Sequence, residues 1–67
     1  MYTITVNTHC GGRKEISMID KEYAIFCLNK FLSAVDLAYL DMIDGLTGEV
    51  LYAWSNGKFV IIEGYTV

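Results

Sequence analysis

The chain has 67 residues, of which 54% are apolar and 19% charged, and its formal net charge is −3 at pH 7. This length predicts a single domain spanning residues 1–67, and so short a chain buries only about 60% of the surface that its unfolded form exposes. The acidic balance argues against non-specific binding to nucleic-acid backbone, which requires a basic face. The high apolar content and the absence of proline favour a folded domain that gains stability by associating with another chain.

The N-terminus and the cysteines indicate a cellular compartment. Residues 2–8 alternate polar and apolar side chains, which is unlike the charged and then apolar pattern of a signal peptide. The sequence contains no apolar run of about 18 residues that could span a bilayer. Its two cysteines are fewer than small secreted domains usually carry. We therefore expect a cytoplasmic protein, not bound to a membrane, with Cys10 and Cys27 reduced.

Two strands joined by a glycine turn are predicted at the start of the chain. Residues 2–8 alternate with period two and include β-branched side chains, which is typical of a half-buried strand. Gly11-Gly12 then allows a tight reversal. Residues 14–19 are predicted to return as a shorter strand, with Ile16 and Met18 on the same side.

A helix is predicted next, from Lys21 to about Val35. Asp20 is a suitable N-cap, and the negative charge of Glu22 is favourable at the positive end of the helix dipole. Apolar residues cover well over half of the circumference of this helix, whereas the apolar stripe of an ordinary surface helix is narrower. Its broadest apolar face contains Ala24, Cys27, Leu28, Phe31, Ala34 and Val35.

A three-stranded meander is predicted after the helix, with strands at residues 37–43, 49–54 and 58–63. Asn56-Gly57 predicts a two-residue type I′ turn, and residues 64–67 are expected to extend the last strand or to fray. The predicted fold class is therefore α+β. It is a small ββαβββ domain with a mostly antiparallel sheet and one helix packed on one face.

The predicted turn also predicts the register and the two sides of the last hairpin. One helix can cover only one side of the sheet, and we expect it to cover the small aliphatic side, where Ala53 pairs with Val60 and Leu51 pairs with Ile62. The side expected to face outward pairs Trp54 with Phe59 and Tyr52 with Ile61. An exposed patch of this kind marks an interaction surface. In the alternative, the domain covers the patch itself, with Tyr39, Tyr65 or the strand of Tyr2.

Catalytic and metal-binding patterns are weak in this sequence. His9 and Cys10 are adjacent, so an extended backbone directs them to opposite sides, and one histidine with two separated cysteines is too few ligands for a metal site. Three acidic residues near one turn are ordinary polar turn residues: Asp41, Asp44 and Glu49. We expect no catalytic residue, no metal and no cofactor.

Two binding patterns remain weak alternatives. Gly11-Gly12-Arg13-Lys14 brings loop amides and two cations together, which could hold an anion, although the spaced glycines of a phosphate-binding loop are missing. Exposed aromatic rings could stack on single-stranded bases, but Lys58 is the only cation in residues 31–67, so nucleic acid is not an expected partner.

The function expected from the sequence is a non-enzymatic protein-interaction module. It would self-associate as a homodimer or a higher homo-oligomer and would bind, inhibit or scaffold an unidentified partner protein. The size and acidity are typical of accessory or inhibitor proteins of phages and mobile elements. An oligomeric binder of a small anionic metabolite or nucleotide is the alternative, through Gly11, Gly12, Arg13 and Lys14. The expected partner-binding residues are Tyr52, Trp54, Phe59 and Ile61, with Phe26 and Tyr23 as a second contact on the helix.

Overall fold

The computed structural model describes residues 1–34 and 36–67, which form one six-stranded antiparallel sheet and one helix. The strands lie side by side in the order β2-β1-β3-β4-β5-β6. The predicted α+β class is confirmed, and β6 adds a strand to the predicted order. In chain order the elements are β1 (Tyr2–Thr8), β2 (Arg13–Met18), α1 (Lys21–Leu32), β3 (Leu37–Asp44), β4 (Val50–Ser55), β5 (Lys58–Ile62) and β6 (Tyr65–Thr66).

Both ends of α1 are explained by local hydrogen bonds. The carboxylate of Asp20 accepts from the backbone N–H of Glu22 at 3.0 Å, so the predicted N-cap is confirmed. At the other end the backbone N–H of Ser33 donates to the carbonyl of Lys30 at 3.2 Å. Such bonds tighten the last turn, and α1 ends at Leu32, earlier than predicted. The predicted end at Val35 lies outside the described residues.

The core lies between α1 and one face of β1 and β3. Ile4 of β1 pairs with Met42 of β3, and Val6 pairs with Leu40, so these four side chains share one face of the sheet. Ile4, Leu40 and Met42 are fully buried. The rest of the buried cluster consists of Ala24, Leu28, Leu37 and Leu51.

The β4–β5 hairpin turns as predicted, but its register then shifts. Asn56 and Gly57 have φ angles of 52° and 86°, and Trp54 pairs with Phe59, so the type I′ turn and this pair are confirmed. Beyond that pair a β-bulge leaves Val60 without a partner on β4.

The bulge makes three predicted pairs wrong. Because β5 carries one extra residue, Tyr52 pairs with Ile62 and Ala53 pairs with Ile61. The predicted pairs that this shift replaces are Tyr52 with Ile61, Ala53 with Val60 and Leu51 with Ile62.

A second two-residue turn shapes the C-terminus. Glu63 and Gly64 have φ angles of 50° and 85°, and Ile62 pairs with Tyr65 across them. The prediction that residues 64–67 extend the last strand or fray is therefore wrong. The chain reverses and adds β6 beside β5, because two successive positive φ angles match the twist of a tight hairpin.

The helix packs on the side of the sheet that carries Tyr52 and Trp54, whereas the prediction had placed it on the other side. Leu40 pairs with Trp54 and Met42 pairs with Tyr52, so both aromatic residues lie on the same side of the sheet as α1. Ile61 lies on the other side. The pairing of β4 with β3 determines which side of β4 faces the helix, because Leu40 and Met42 of β3 face α1.

Candidate protein-interaction surface

A row of large apolar side chains lies on the part of this face that α1 leaves uncovered. The helix contacts mainly β1, β2 and β3. On the strands beyond, Trp54 pairs with Phe59, and Ile62 pairs with both Tyr52 and Tyr65, so all five side chains are on the helix side. We call this group the aromatic shelf: Tyr52, Trp54, Phe59, Ile62 and Tyr65.

One part of the shelf packs against the core, and the other part is exposed to solvent. Tyr52, Trp54 and Phe59 are half-buried and pack against the core cluster. The rings of Tyr52 and Phe59 meet edge to face, with centroids 6.4 Å apart at 67°. Ile62 is exposed, and Tyr65 is 78% exposed. Because Tyr52, Trp54 and Phe59 are held against the core, their side chains would lose little conformational freedom on being covered by a partner.

One end of the shelf is acidic. Burial raises the pKa of the Tyr52 hydroxyl, and the nearby carboxylate of Glu63 raises the pKa further. A Cβ added at Gly64 would lie 3.4 Å from the carboxylate of Glu49. Two carboxylates therefore lie around the β5–β6 turn, which favours a basic group at this end of a partner.

The two helix residues that were expected to bind a partner form a separate patch. Tyr23 and Phe26 are 56% and 55% exposed, and their rings stack with centroids 6.2 Å apart. The ammonium group of Lys30 lies 5.2 Å from the centroid of Phe26, which is cation–π distance. β2 and β3 both pair antiparallel with β1 and are joined through α1, and crossovers of this kind are right-handed. This handedness places Tyr23, which precedes the buried Ala24, on the flank of α1 toward β2. The structure thus does not bring this pair together with the aromatic shelf.

The weak anion candidate borders a hollow between α1 and the β1–β2 hairpin. The hollow has a volume of about 330 Å³ and an apolar floor, and its lining residues are Val6, Thr8, Gly12, Arg13, Lys14, Phe31 and Ala34. The N–H of Gly12 donates to Thr8 Oγ1 at 2.9 Å, and that of Gly11 donates to the Thr8 carbonyl at 3.1 Å. Both loop amides are therefore already hydrogen-bonded within the loop, and the two cations remain.

His9 and Cys10 are held by Asp36. The backbone N–H of His9 donates to the Asp36 carbonyl at 3.0 Å, and that of Cys10 donates to Asp36 Oδ2 at 3.3 Å. A hydrogen bond to Asp36 and the charge of its carboxylate raise the pKa of the Cys10 thiol. A raised pKa is the opposite of what a cysteine nucleophile needs. Cys27 is also a free thiol.

Asp41 is a buried residue of the sheet that accepts a hydrogen bond from Tyr39. The predicted strand at residues 37–43 contains Asp41, although its carboxylate was grouped with those of the turn residues Asp44 and Glu49. Asp41 lies within β3, opposite Ala53, and is only 9% exposed. Its Oδ2 accepts from the Tyr39 hydroxyl at 2.8 Å, whereas its Oδ1 is buried without a hydrogen-bond partner. The signal was the inward alternation of residues 40 and 42, which turns residue 41 to the other face.

Comparison with protein-family models, with curated proteins and with solved structures finds no match. Within residues 1–34 and 36–67, no three His, Cys, Asp or Glu side chains lie close enough together to hold a metal ion. In the described part of the chain, no helix has the length and hydropathy needed to cross a membrane.

Proposed function

We propose that this chain is a non-enzymatic protein-interaction module that self-associates and uses the aromatic shelf to bind, inhibit or scaffold a partner protein. One observation carries the proposal. The five side chains of the shelf continue the apolar side of the sheet beyond the helix, and α1 does not cover them. This is the feature expected of an accessory or inhibitor protein that acts by occupying a surface of its target.

The chemistry of the shelf suits a protein partner. Tyr and Trp are enriched among the residues that dominate binding energy, and full burial of a large apolar side chain contributes about 1.5–3 kcal/mol. Tyr52, Trp54 and Phe59 are already held against the core, so a partner has little to order.

The layer geometry suggests the shape of the partner. An amphipathic helix lying beside α1 would cover the shelf and would extend the helix layer across the sheet. Its apolar stripe would meet Trp54 and Phe59. Basic residues at one end would meet Glu49 and Glu63 near the β5–β6 turn.

The test is native mass spectrometry of the tagged protein purified from cells that naturally carry its gene. We expect a complex with a fixed ratio of partner to chain and more than one copy of the chain. Tyr65→Glu should remove the partner without unfolding the domain, because Tyr65 is exposed and lies on the short β6. Trp54→Glu should have a larger effect, with far-UV circular dichroism as the check on folding.

Leu46→Glu is the matched control, because Leu46 is 88% exposed in the β3–β4 loop, away from the shelf. This variant should keep the partner. A chain that is recovered alone, or a partner that is retained by both shelf variants, would contradict the proposed function.

The hollow between α1 and the β1–β2 hairpin supports a second candidate function, the binding of a small anion with an apolar body. Arg13 and Lys14 supply charge, and Phe31 supplies part of the apolar floor. This function ranks second because the hollow lies at the C-terminal end of α1, whose free carbonyls disfavour an anion. A guanidinium nitrogen of Arg13 also lies 3.8 Å from a carboxylate oxygen of Glu15, so the positive charge of Arg13 is already partly neutralised.

A thermal-shift series with small carboxylates and nucleotides tests this candidate. A true ligand raises the melting temperature with the logarithm of its concentration, and Lys14→Ala should reduce the shift. An unchanged melting temperature across the series would remove the candidate.

A further inference from the structure

β2 forms a long open edge of the sheet. It has six residues and pairs with β1 in an unbroken register from Met18 opposite Tyr2 to Arg13 opposite Asn7, with no bulge. The opposite edge, β6, has only two residues. An edge strand presents unpaired backbone groups that can pair with another chain, and proline and bulges are among the features that normally prevent this. β2 has neither.

The outward backbone groups of β2 follow from the hairpin. The backbone N–H of Thr8 donates to the carbonyl of Gly12 at 2.9 Å. Hydrogen-bonded and non-hydrogen-bonded pairs alternate along an antiparallel ladder, so every second residue of β2 bonds to β1 and the others point outward. The residues that direct N–H and C=O away from the sheet are Arg13, Glu15 and Ser17.

The exposed helix patch lies above this same edge. The right-handed crossover from β2 to β3 places Tyr23 on the flank of α1 toward β2. Phe26 stacks on Tyr23, and both are more than half exposed. Ile16 and Met18 point to the helix side of β2 and are half-buried. An open strand edge and an uncovered aromatic pair thus lie side by side.

We propose that a second copy of this chain pairs antiparallel with β2 through a two-fold axis, so that the sheets of both copies become continuous. The two α1 helices then lie on the same face and bring Tyr23 and Phe26 of each copy together over the junction. This inference rests on the self-association in the proposed function and locates it, which leaves the aromatic shelf for the partner protein.

Charge and strand overlap together favour one register for the paired β2 strands. A two-fold axis at Ile16 places Glu15 opposite Ser17 of the second copy, and Lys14 opposite Met18. An axis at Lys14 or at Glu15 would place identical charges directly opposite each other, which is destabilising. An axis at Ser17 would pair only residues 16–18 of each β2 strand, whereas an axis at Ile16 pairs residues 14–18. Registers with the axis between two residues would put the helices on opposite faces and leave Tyr23 uncovered.

The spacing of the elements agrees with paired helices. Neighbouring strands are about 4.8 Å apart, so β1 and the β1 strand of the second copy would be about 14 Å apart across the two β2 strands. The axes of packed helices usually lie about 8–10 Å apart. The remaining gap is about the size of a side chain, and it is filled by the aromatic rings of Tyr23 and Phe26.

The test is the mass of the purified chain in solution, by light scattering and sedimentation over a concentration series. We expect a dimer for the native sequence. Ser17→Pro removes an outward N–H at the centre of the edge without touching the ladder to β1, and it should raise the dimer dissociation constant at least about tenfold. Ser17→Ala is the control, because it loses the hydroxyl contact with Thr3 but keeps the N–H. The control should remain a dimer.

Phe26→Glu is a second variant that does not depend on how well proline is tolerated in β2. Phe26 is exposed on α1, so the variant should fold and should weaken the dimer. A dimer that survives Ser17→Pro and Phe26→Glu overturns this proposal while leaving the partner-binding function of the shelf intact. Loss of the partner in Tyr65→Glu with the dimer retained is a separate result, so the two proposals fail in distinguishable ways.

Discussion

The two halves of the helix-side sheet face are both apolar, but only one of them is buried. Under α1, Ile4, Leu40 and Met42 are fully buried, whereas beyond it Trp54 is half-buried and Tyr65 is 78% exposed. The dimensions explain the difference. A helix of 12 residues is about 18 Å long and 10 Å wide, whereas six strands span about 24 Å, so one helix covers only about half of the face. Apolar strands therefore do not by themselves show where the core lies.

The largest expected effect is a stability contrast between the two halves. Leu40→Ala should lower the free energy of unfolding by about 2–5 kcal/mol, because it leaves a cavity under α1. Ile62→Ala, on the uncovered half, should cost less than about 1 kcal/mol, because its side chain already contacts water. Urea unfolding of both variants measures the contrast. Equal losses would mean that the shelf belongs to the core of the single chain.

An intermediate effect is expected on the opposite face of the sheet. Tyr39→Phe removes the hydroxyl that donates to Asp41 Oδ2. Because Oδ1 already has no hydrogen-bond partner, both oxygens of the carboxylate are then unpaired. A buried acceptor that is left without a hydrogen bond costs about 1–3 kcal/mol, so Tyr39→Phe should lower the free energy of unfolding by about this amount in urea unfolding experiments. Tyr23→Phe is the control, since Tyr23 is exposed on α1, and it should leave stability unchanged.

The smallest effect is a pH dependence at the inner edge of the shelf. The pKa of Tyr52 is raised by burial and by Glu63, so in alkali the unfolded chain loses its hydroxyl proton before the folded chain does. The contribution of Tyr52 to the free energy of unfolding is therefore fully present below its ordinary pKa of about 10. The free energy of unfolding falls as the pH rises above that value. Tyr52→Phe should make the loss above pH 10 shallower. An identical slope in both proteins would show that Tyr52 is not buried in this way.

Local patterns predicted much of this fold. The alternation in residues 2–8, the N-cap at Asp20 and the turn at Asn56-Gly57 are short-range features, and all three are confirmed. They were sufficient for the α+β class and for the element order up to β5. The turn at Glu63-Gly64 was missed, because glutamate rarely adopts a positive φ and its presence gives no turn signal.

Non-local pairing accounts for what the sequence could not show. The side of β4 that faces α1 depends on the pairing of β1 with β3, where Val6 meets Leu40, and then on Leu40 meeting Trp54. The bulge at Val60 changes the register in the middle of a regular apolar run, without any glycine to mark it. Tyr52, Trp54 and Phe59 were therefore grouped correctly, whereas Ile61 was assigned to the wrong side in place of Ile62.

Hydroxyl-radical footprinting of the complex isolated from cells tests the central claim most directly. The same chain, measured after the partner has been removed, provides the reference. We predict that Trp54, Phe59 and Tyr65 are protected only while the partner is bound, and that the exposed Leu46 reacts equally in both samples. Unchanged reactivity at all three shelf residues, with protection elsewhere on the chain, would contradict the account.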